Sequence, residues 1–281
     1  MGTLGIIAGG GDLPLAIAEC ATESGRGVFI AALQGMADEG VARFAHGWAS
    51  IGEAGKILKL LRQNGCDDIL LAGKVSRPKW ADVKFDAKGL MVLPKVVAAG
   101  LKGDDSILRL LVSNIEAEGF HIVGAVEAAP ALLAPAGVLG RVTPNDQDHS
   151  DIALAAKTVR RLGELDIGQA AAVCEGLVLA VEAAEGTDAM IARIGTLADN
   201  LRGTPGKPKG VLVKAPKPTQ DRKTDLPVIG VETVRKAAAV GLRGIAVEAQ
   251  GALIVNRRGV IAAADAAGLF VFGFDRDEFA E

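Results

Sequence analysis

Short, continuously apolar runs recur along the first half of the chain. Between them, apolar positions return every three or four residues. "LGIIA", "VFIAAL", "DILLAG" and "IVGAVEA" are of the first kind, and unbroken runs of this length predict strands covered on both faces. "LPLAIAECATES" and "GKILKLLRQNG" are of the second kind and predict helices. In "DDSILRLLVSNIEAEGF", Ile107, Leu108, Leu111 and Ile115 share one helical face. Asp104 and Asp105 suit its N-terminus, and Gly119 its end. This alternation predicts a mostly parallel sheet wrapped by helices.

The pattern changes at "APALLAPAGVLGRVTP", where Pro130, Pro135 and Pro144 with two glycines predict a linker or hinge. Beyond it, "SDIALAAKTVRRLGELD" predicts an amphipathic helix, and "AAAVCEGLVLAVEA" a hairpin turning at Glu175-Gly176. "VLVKAPK", "GIAVEA" and "ALIVN" predict further strands, with helices near 187–200 and 232–240. The expected fold is therefore α/β in two domains. A Rossmann-like N-terminal domain with a mostly parallel sheet spans 1–132, a Pro/Gly-rich linker 133–143, and a mixed C-terminal domain with some antiparallel pairing 144–281.

Composition narrows the function. Of 281 residues 49% are hydrophobic and 4% aromatic, with no Tyr, so Ala, Val, Leu and Ile make the core. The net charge of −3 and the lack of a basic stripe argue against nucleic acid as a partner. Cys20, Cys66 and Cys174 are far apart, without CxxC or metal-ligand spacing, which points to a reducing, cytoplasmic setting. No basic n-region precedes an apolar run at the start, and no run nears the roughly 20 residues of a membrane helix. Any contact with a membrane is expected to be peripheral. A homodimer is expected only on the base rate for oligomers.

"LGIIAGGGDLPLAIAE" reads as strand, glycine turn and helix, so Gly10, Gly11 and Asp12 are candidate phosphate or nucleotide contacts. The dinucleotide fingerprint is incomplete. Pro14 stands where a third small residue belongs, and the next strand ends "AALQG" without an acid. An NAD(P)-dependent oxidoreductase is thus disfavoured, and a tight turn without a ligand is an equal alternative. In "AGKVSRP", Lys74 and Arg77 follow an apolar strand, as ligand contacts do, though a solvated loop explains them as well. "TPNDQDHSDI" groups Asp146, Asp148, His149 and Asp151 before a helix. Ser150 or Asp151 is a natural cap, and the other acids suit a metal or sugar contact. In "VEAAEGTDAMIAR", Glu182 and Glu185 close a strand, and Thr187 or Asp188 suits a cap. The surplus carboxylates there call for a cation.

The most charged loop is "LVKAPKPTQDRKTDLPVIG". Lys214, Lys217, Arg222 and Lys223 gather with Asp221 and Asp225 among Pro216, Pro218 and Pro227. Prolines restrict the backbone and lower the entropic cost of holding the charges. Two acids cannot balance four cations, whereas a diphosphate can. Such cations neutralise charge that develops in phosphoryl transfer. The residues alone point to a phosphate-ester or diphosphate site between two domains. There is no P-loop.

In order and spacing, "GIIAGGGDLP", "AGKVSRP", "KGDDSILR", "PALLAPAGVLG", "DHSDIALA", "VEAAEGTDAMI", "VLVKAPKPTQD" and "DLPVIG" resemble the LpxI-type UDP-2,3-diacylglucosamine pyrophosphatases over nearly the whole chain. The resemblance implies hydrolysis of UDP-2,3-diacylglucosamine to UMP and 2,3-diacylglucosamine 1-phosphate, a cytoplasmic-side step of lipid A synthesis. It further implies Mg²⁺ as cofactor and a UDP-linked diacyl-sugar lipid held between two domains. Carried over, it makes Asp225, Asp188, Lys214 and Arg222 catalytic, with Asp225 and Asp188 as metal ligands. Substrate contacts would be Gly10, Gly11, Asp12, Lys74, Arg77, Asp148, Thr187, Lys217, Gln220 and Lys223. Thr224 stands where the family often has Phe, and the "PNDQDHSDI" segment departs in its intervening residues. A nucleotide-sugar sensor that binds diphosphate without cleaving it uses the same cations and remains the main alternative.

Overall fold

The computed structural model describes residues 2–75, 83–101, 104–218 and 226–279. The chain divides into two compact units, Met1–Ala131 and Leu132–Glu281. The first contains β1 (Thr3–Ala8), α1 (Leu13–Glu23), β2 (Val28–Leu33), β3 (Ala45–Ala49), α2 (Ala54–Gln63), β4 (Cys66–Ala72), α3 (Ala87–Gly100), α4 (Asp104–Glu116), β5 (His121–Ile122) and α5 (Ala125–Ala128). Its five strands pair in parallel in the order β3-β2-β1-β4-β5. The apolar runs of β1, β2 and β4 are central and buried on both faces. On one face Phe29, Ala31, Leu33 and Ile69 meet Leu58 and Leu61 of α2 and Ile115 of α4.

One strand of this unit is shorter than its reading in the sequence, and β3 has no counterpart in that reading. "IVGAVEA" was expected as one strand, but only His121–Ile122 pairs with β4. Gly124 then caps a short helix, α5, which an Ala-rich stretch readily forms. β3, "AHGWA", is an edge strand with half-exposed residues and so lacks an apolar run.

The second unit contains β6 (Gly137–Leu139), α6 (Asp146–Glu164), β7 (Ala170–Cys174), β8 (Leu177–Val181), α7 (Gly186–Ile194), β9 (Val211–Lys214), β10 (Val228–Ile229), α8 (Val231–Ala239), β11 (Gly244–Glu248), β12 (Leu253–Ile254), α9 (Arg257–Ala267) and β13 (Phe270–Phe274). Its six-stranded sheet runs β6-β13-β11-β9-β7-β8. β8, β9, β11 and β13 point one way, and β6 and β7 oppose them. Alternate residues divide between two cores. Leu212, Ile245, Val247 and Val271 pack with Met190, Val234 and Val260 of α7, α8 and α9. Val211, Val213, Ala246 and Phe270 pack with Ile152, Ala155 and Val159 of α6.

The β7–β8 hairpin turns at Glu175 (φ 49°) and Gly176 (φ 80°), the left-handed pair that a two-residue hairpin requires. Residues 133–143, read as a linker, are built into this unit. β6 pairs antiparallel with β13 through Leu139↔Val271, and Leu133 bridges to Leu253. Prolines and glycines here shape an edge strand, where a missing donor is tolerated.

Candidate functional site

The carboxyl ends of β8, β9, β11 and β13 lie along one edge of the second sheet, where ligands of α/β sheets bind. Three buried charged side chains stand there: Glu182 after β8, Lys214 ending β9, and Glu248 ending β11. Lys214 pairs in register with Val247, so its side chain shares the α7/α8 face. Its Nζ donates to Thr187 Oγ1 at 3.0 Å and to the Val228 carbonyl at 3.1 Å. The Thr187 hydroxyl donates to Glu182 Oε1 at 2.7 Å, and the Gln169 amide to Glu182 Oε2 at 3.2 Å. A cation only 5% exposed and a carboxylate 7% exposed are thus joined through one hydroxyl. A buried charge without such partners would cost several kcal/mol.

This geometry revises the expected role of Thr187. Neither Thr187 nor Asp188 caps α7, and Glu185 occupies the N-cap without a side-chain bond. The Thr187 hydroxyl is used by Lys214 and Glu182 instead. Asp188, in the first turn, is exposed and pairs with Lys236 of α8 at 2.9 Å. Its neighbour Thr187 brings it to the same edge as Lys214.

Lys217 takes the other side. Its Nζ bonds Asp166 at 2.7 Å, and the chain at Lys217 and Pro218 lies so close to Gly163 of α6 that an added Cβ would sit 2.8 Å from Pro218. A cleft of about 350 Å³ opens on this face, lined by Ala215, Pro216, Pro218, Arg160, Glu248 and Phe274 among others. Glu248, which the reading of the sequence passed over, is a strand-end acid that the carboxyl-end rule would have flagged.

Asp148 is not brought to this edge. The α6 cap is Asn145, not Ser150 or Asp151. Asn145 and Asp148 form a reciprocal capping box, and Asp148 also accepts from Arg243 at 2.7 Å. Asp151 accepts from the amides of Glu175 and Gly176, both at 2.8 Å, and so fixes the β7–β8 turn. Arg243 precedes β11 and the turn follows β7, so both acids stand at the opposite edge of the sheet. Their surplus is spent on the fold. Asp146 lies in the same first turn.

In the first unit the strand order reverses at β1 and β4, and the glycine loop and Lys74 stand at that switch point. Gly10 and Lys74 exchange backbone hydrogen bonds of 2.9 and 2.8 Å. A Cβ on Gly9 would lie 2.4 Å from the Lys74 carbonyl, and one on Gly10 2.7 Å from the Met36 carbonyl. Close chain approach therefore explains these glycines without a ligand. The Gly11 amide donates to Asp38 Oδ2 at 2.7 Å, so an acid beyond β2 reaches the loop although "AALQG" has none. Asp12 is the N-cap of α1, with no side-chain bond to it.

Arg77, Gln220, Arg222, Lys223 and Asp225 lie outside the described residues. Among the described residues, no group of three or more His, Cys, Asp or Glu is placed to hold a metal ion. Mg²⁺ typically takes only one or two carboxylates beside water and phosphate oxygens, and the exposed Asp188 carboxylate is a donor of that type. A thiolate nucleophile is disfavoured, since burial pushes both Cys66 and Cys174 up to about 11. No helix among the described residues is long and apolar enough to cross a membrane.

Models of known families match both units. One described as the LpxI N-terminal domain covers residues 3–132, and one described as the LpxI C-terminal domain covers residues 135–272. The chain is also 49% identical over 278 residues to the UDP-2,3-diacylglucosamine pyrophosphatase LpxI of Caulobacter vibrioides, with 99% of each chain covered. Matched in both halves and along its length, this chain belongs to the LpxI family.

Proposed function

We propose that this chain hydrolyses the pyrophosphate bond of UDP-2,3-diacylglucosamine, giving UMP and 2,3-diacylglucosamine 1-phosphate on the cytoplasmic side of lipid A synthesis. The observation that carries this reading is the 49% identity, over 99% of both chains, to a protein named for that activity. The buried charges at the carboxyl edge of the second sheet supply a chemical rationale.

Water attacks one phosphorus, and the bond from that phosphorus to the bridging oxygen breaks. Negative charge grows on the leaving phosphate. Lys214, fixed by Thr187, Val228 and through Thr187 by Glu182, sets a positive charge at the edge before reaction begins. A preorganised charge of this kind reorganises little during the reaction and is worth roughly 10²–10³ in rate. Arg222, Lys217, Lys223 and Gln220 are the proposed diphosphate and sugar contacts on the loop after β9. Asp225 and Asp188 are the proposed holders of Mg²⁺, which would neutralise charge on the diphosphate oxygens. In the first unit, the proposed substrate contacts are Gly10, Gly11, Asp12, Lys74 and Arg77.

UMP release from substrate dispersed in detergent micelles tests the reading, with Mg²⁺ and with EDTA. Metal-dependent release, with one sugar 1-phosphate formed per UMP, is expected. Substrate bound without UMP release would make the chain a nucleotide-sugar sensor and overturn the proposal.

A further inference from the structure

α3 presents an apolar face that nothing among the described residues covers. Only Gly89 of this helix is buried. Leu90, Met91, Val97 and Leu101 are 56%, 76%, 49% and 88% exposed, and Pro94 and Ala98 are exposed with them. Positions 90, 91, 94, 97, 98 and 101 form one stripe at helical spacing. Single exposed apolar residues are ordinary, whereas a continuous stripe marks a contact surface.

The charges carried by the helix itself have one sign. Residues 87–101 carry Lys88 and Lys95 and no acid, and exposed Lys84 precedes them. Asp86, at the N-cap, accepts from the amides of Gly89 at 2.7 Å and Lys56 at 2.9 Å. Lys88 pairs with Glu118, which Arg62 also binds. Apolar side chains flanked by lysines suit an anionic lipid surface, with the helix lying in its plane. A second copy fits less well. Two-fold pairing of this stripe would bring Lys95 towards its own like with no acid of the helix to answer it.

We propose that the exposed stripe of α3 docks this chain on an anionic bilayer. The proposal rests on the reading above that the substrate is a two-chain lipid, which resides in such a bilayer. Lysines 84 and 95 meet the phosphates, while Leu90, Met91, Val97 and Leu101 enter the boundary of the acyl region.

Co-sedimentation of the full chain with vesicles of phosphatidylglycerol and phosphatidylcholine tests this, against the doubly substituted Met91→Glu/Leu101→Glu chain. The unsubstituted chain is expected to bind the mixed vesicles, more weakly at high salt and on phosphatidylcholine alone. The variant should lose about tenfold or more in binding, with the same melting curve and unchanged UMP release from micelles. Equal vesicle binding by both chains, or none by either, would overturn the proposal. So would a shift from dimer to monomer on substitution without any vesicle binding, because a second copy would then cover the stripe. UMP release from micelles reports on the catalytic reading alone, so the two readings fail separately.

Discussion

At the scale of single residues, Thr187 holds the proposed site together. Its hydroxyl accepts from Lys214 and donates to Glu182, so one oxygen links two buried charges of opposite sign. Thr187→Val keeps the shape and removes both bonds. It is expected to destabilise the chain by about 1–3 kcal/mol, because buried polar groups lose their partner. UMP release should fall with it, and Thr187→Ser should restore most of both. Urea denaturation followed by circular dichroism, beside the UMP assay, checks this; a Val variant as stable and active as the original would contradict it. The sequence displayed all three residues but not their union. Lys214 was legible as a cation leaving a buried strand, and Glu182 as an acid closing one. Thr187, however, reads as a helix cap until β8 and β9 are known to run the same way with β7 between them. In the same way Asp148 looked like a ligand because Arg243, its partner, lies 95 residues away.

At the scale of elements, apolar runs and helical spacing predicted β1, β2, β4, α1, α2, α4, α6 and the β7–β8 hairpin. α3 was missed because Gly89 and Pro94 interrupt "AKGLMVLPKVVAAG", and both argue against a helix. The structure gives Gly89 a reason. An added Cβ would fall 1.8 Å from the Gly52 carbonyl, where backbone cannot yield. Gly89→Ala is therefore expected to cost about 1–3 kcal/mol or more and to lower the melting temperature, and an unchanged melt would refute that close approach.

β4 is tied to its neighbours by Asp68, which pairs with Arg26 and, at 3.0 Å, with His121. Burial alone would raise the Asp68 carboxyl, but hydrogen bonds from His121 and Arg26 outweigh it and hold it below 3.8. Its stabilisation is therefore complete above that value and is lost as pH falls through the lower folded-state value. Asp68→Asn should cost about 1 kcal/mol at pH 7, with a gap that starts to narrow only as pH falls below about 4. A gap that stays the same size from pH 7 down to acid unfolding would contradict the assignment.

At the scale of the whole molecule, the two-unit α/β organisation was legible because strand and helix patterns alternate and then change register near residue 130. The segment 133–143 was less so, since the same prolines and glycines serve a linker or an edge strand. The proposed chemistry is concentrated in the second unit, at the carboxyl edge of a sheet whose opposite edge is closed by Asp148, Asp151 and Arg243. The most direct test compares UMP release by the unsubstituted chain and by Asp225→Ala, both with Mg²⁺, with substrate binding measured in parallel. The account predicts Mg²⁺-dependent release that falls by roughly 10² or more in the variant while substrate still binds. Release that survives Asp225→Ala would contradict the catalytic role given to the loop after β9.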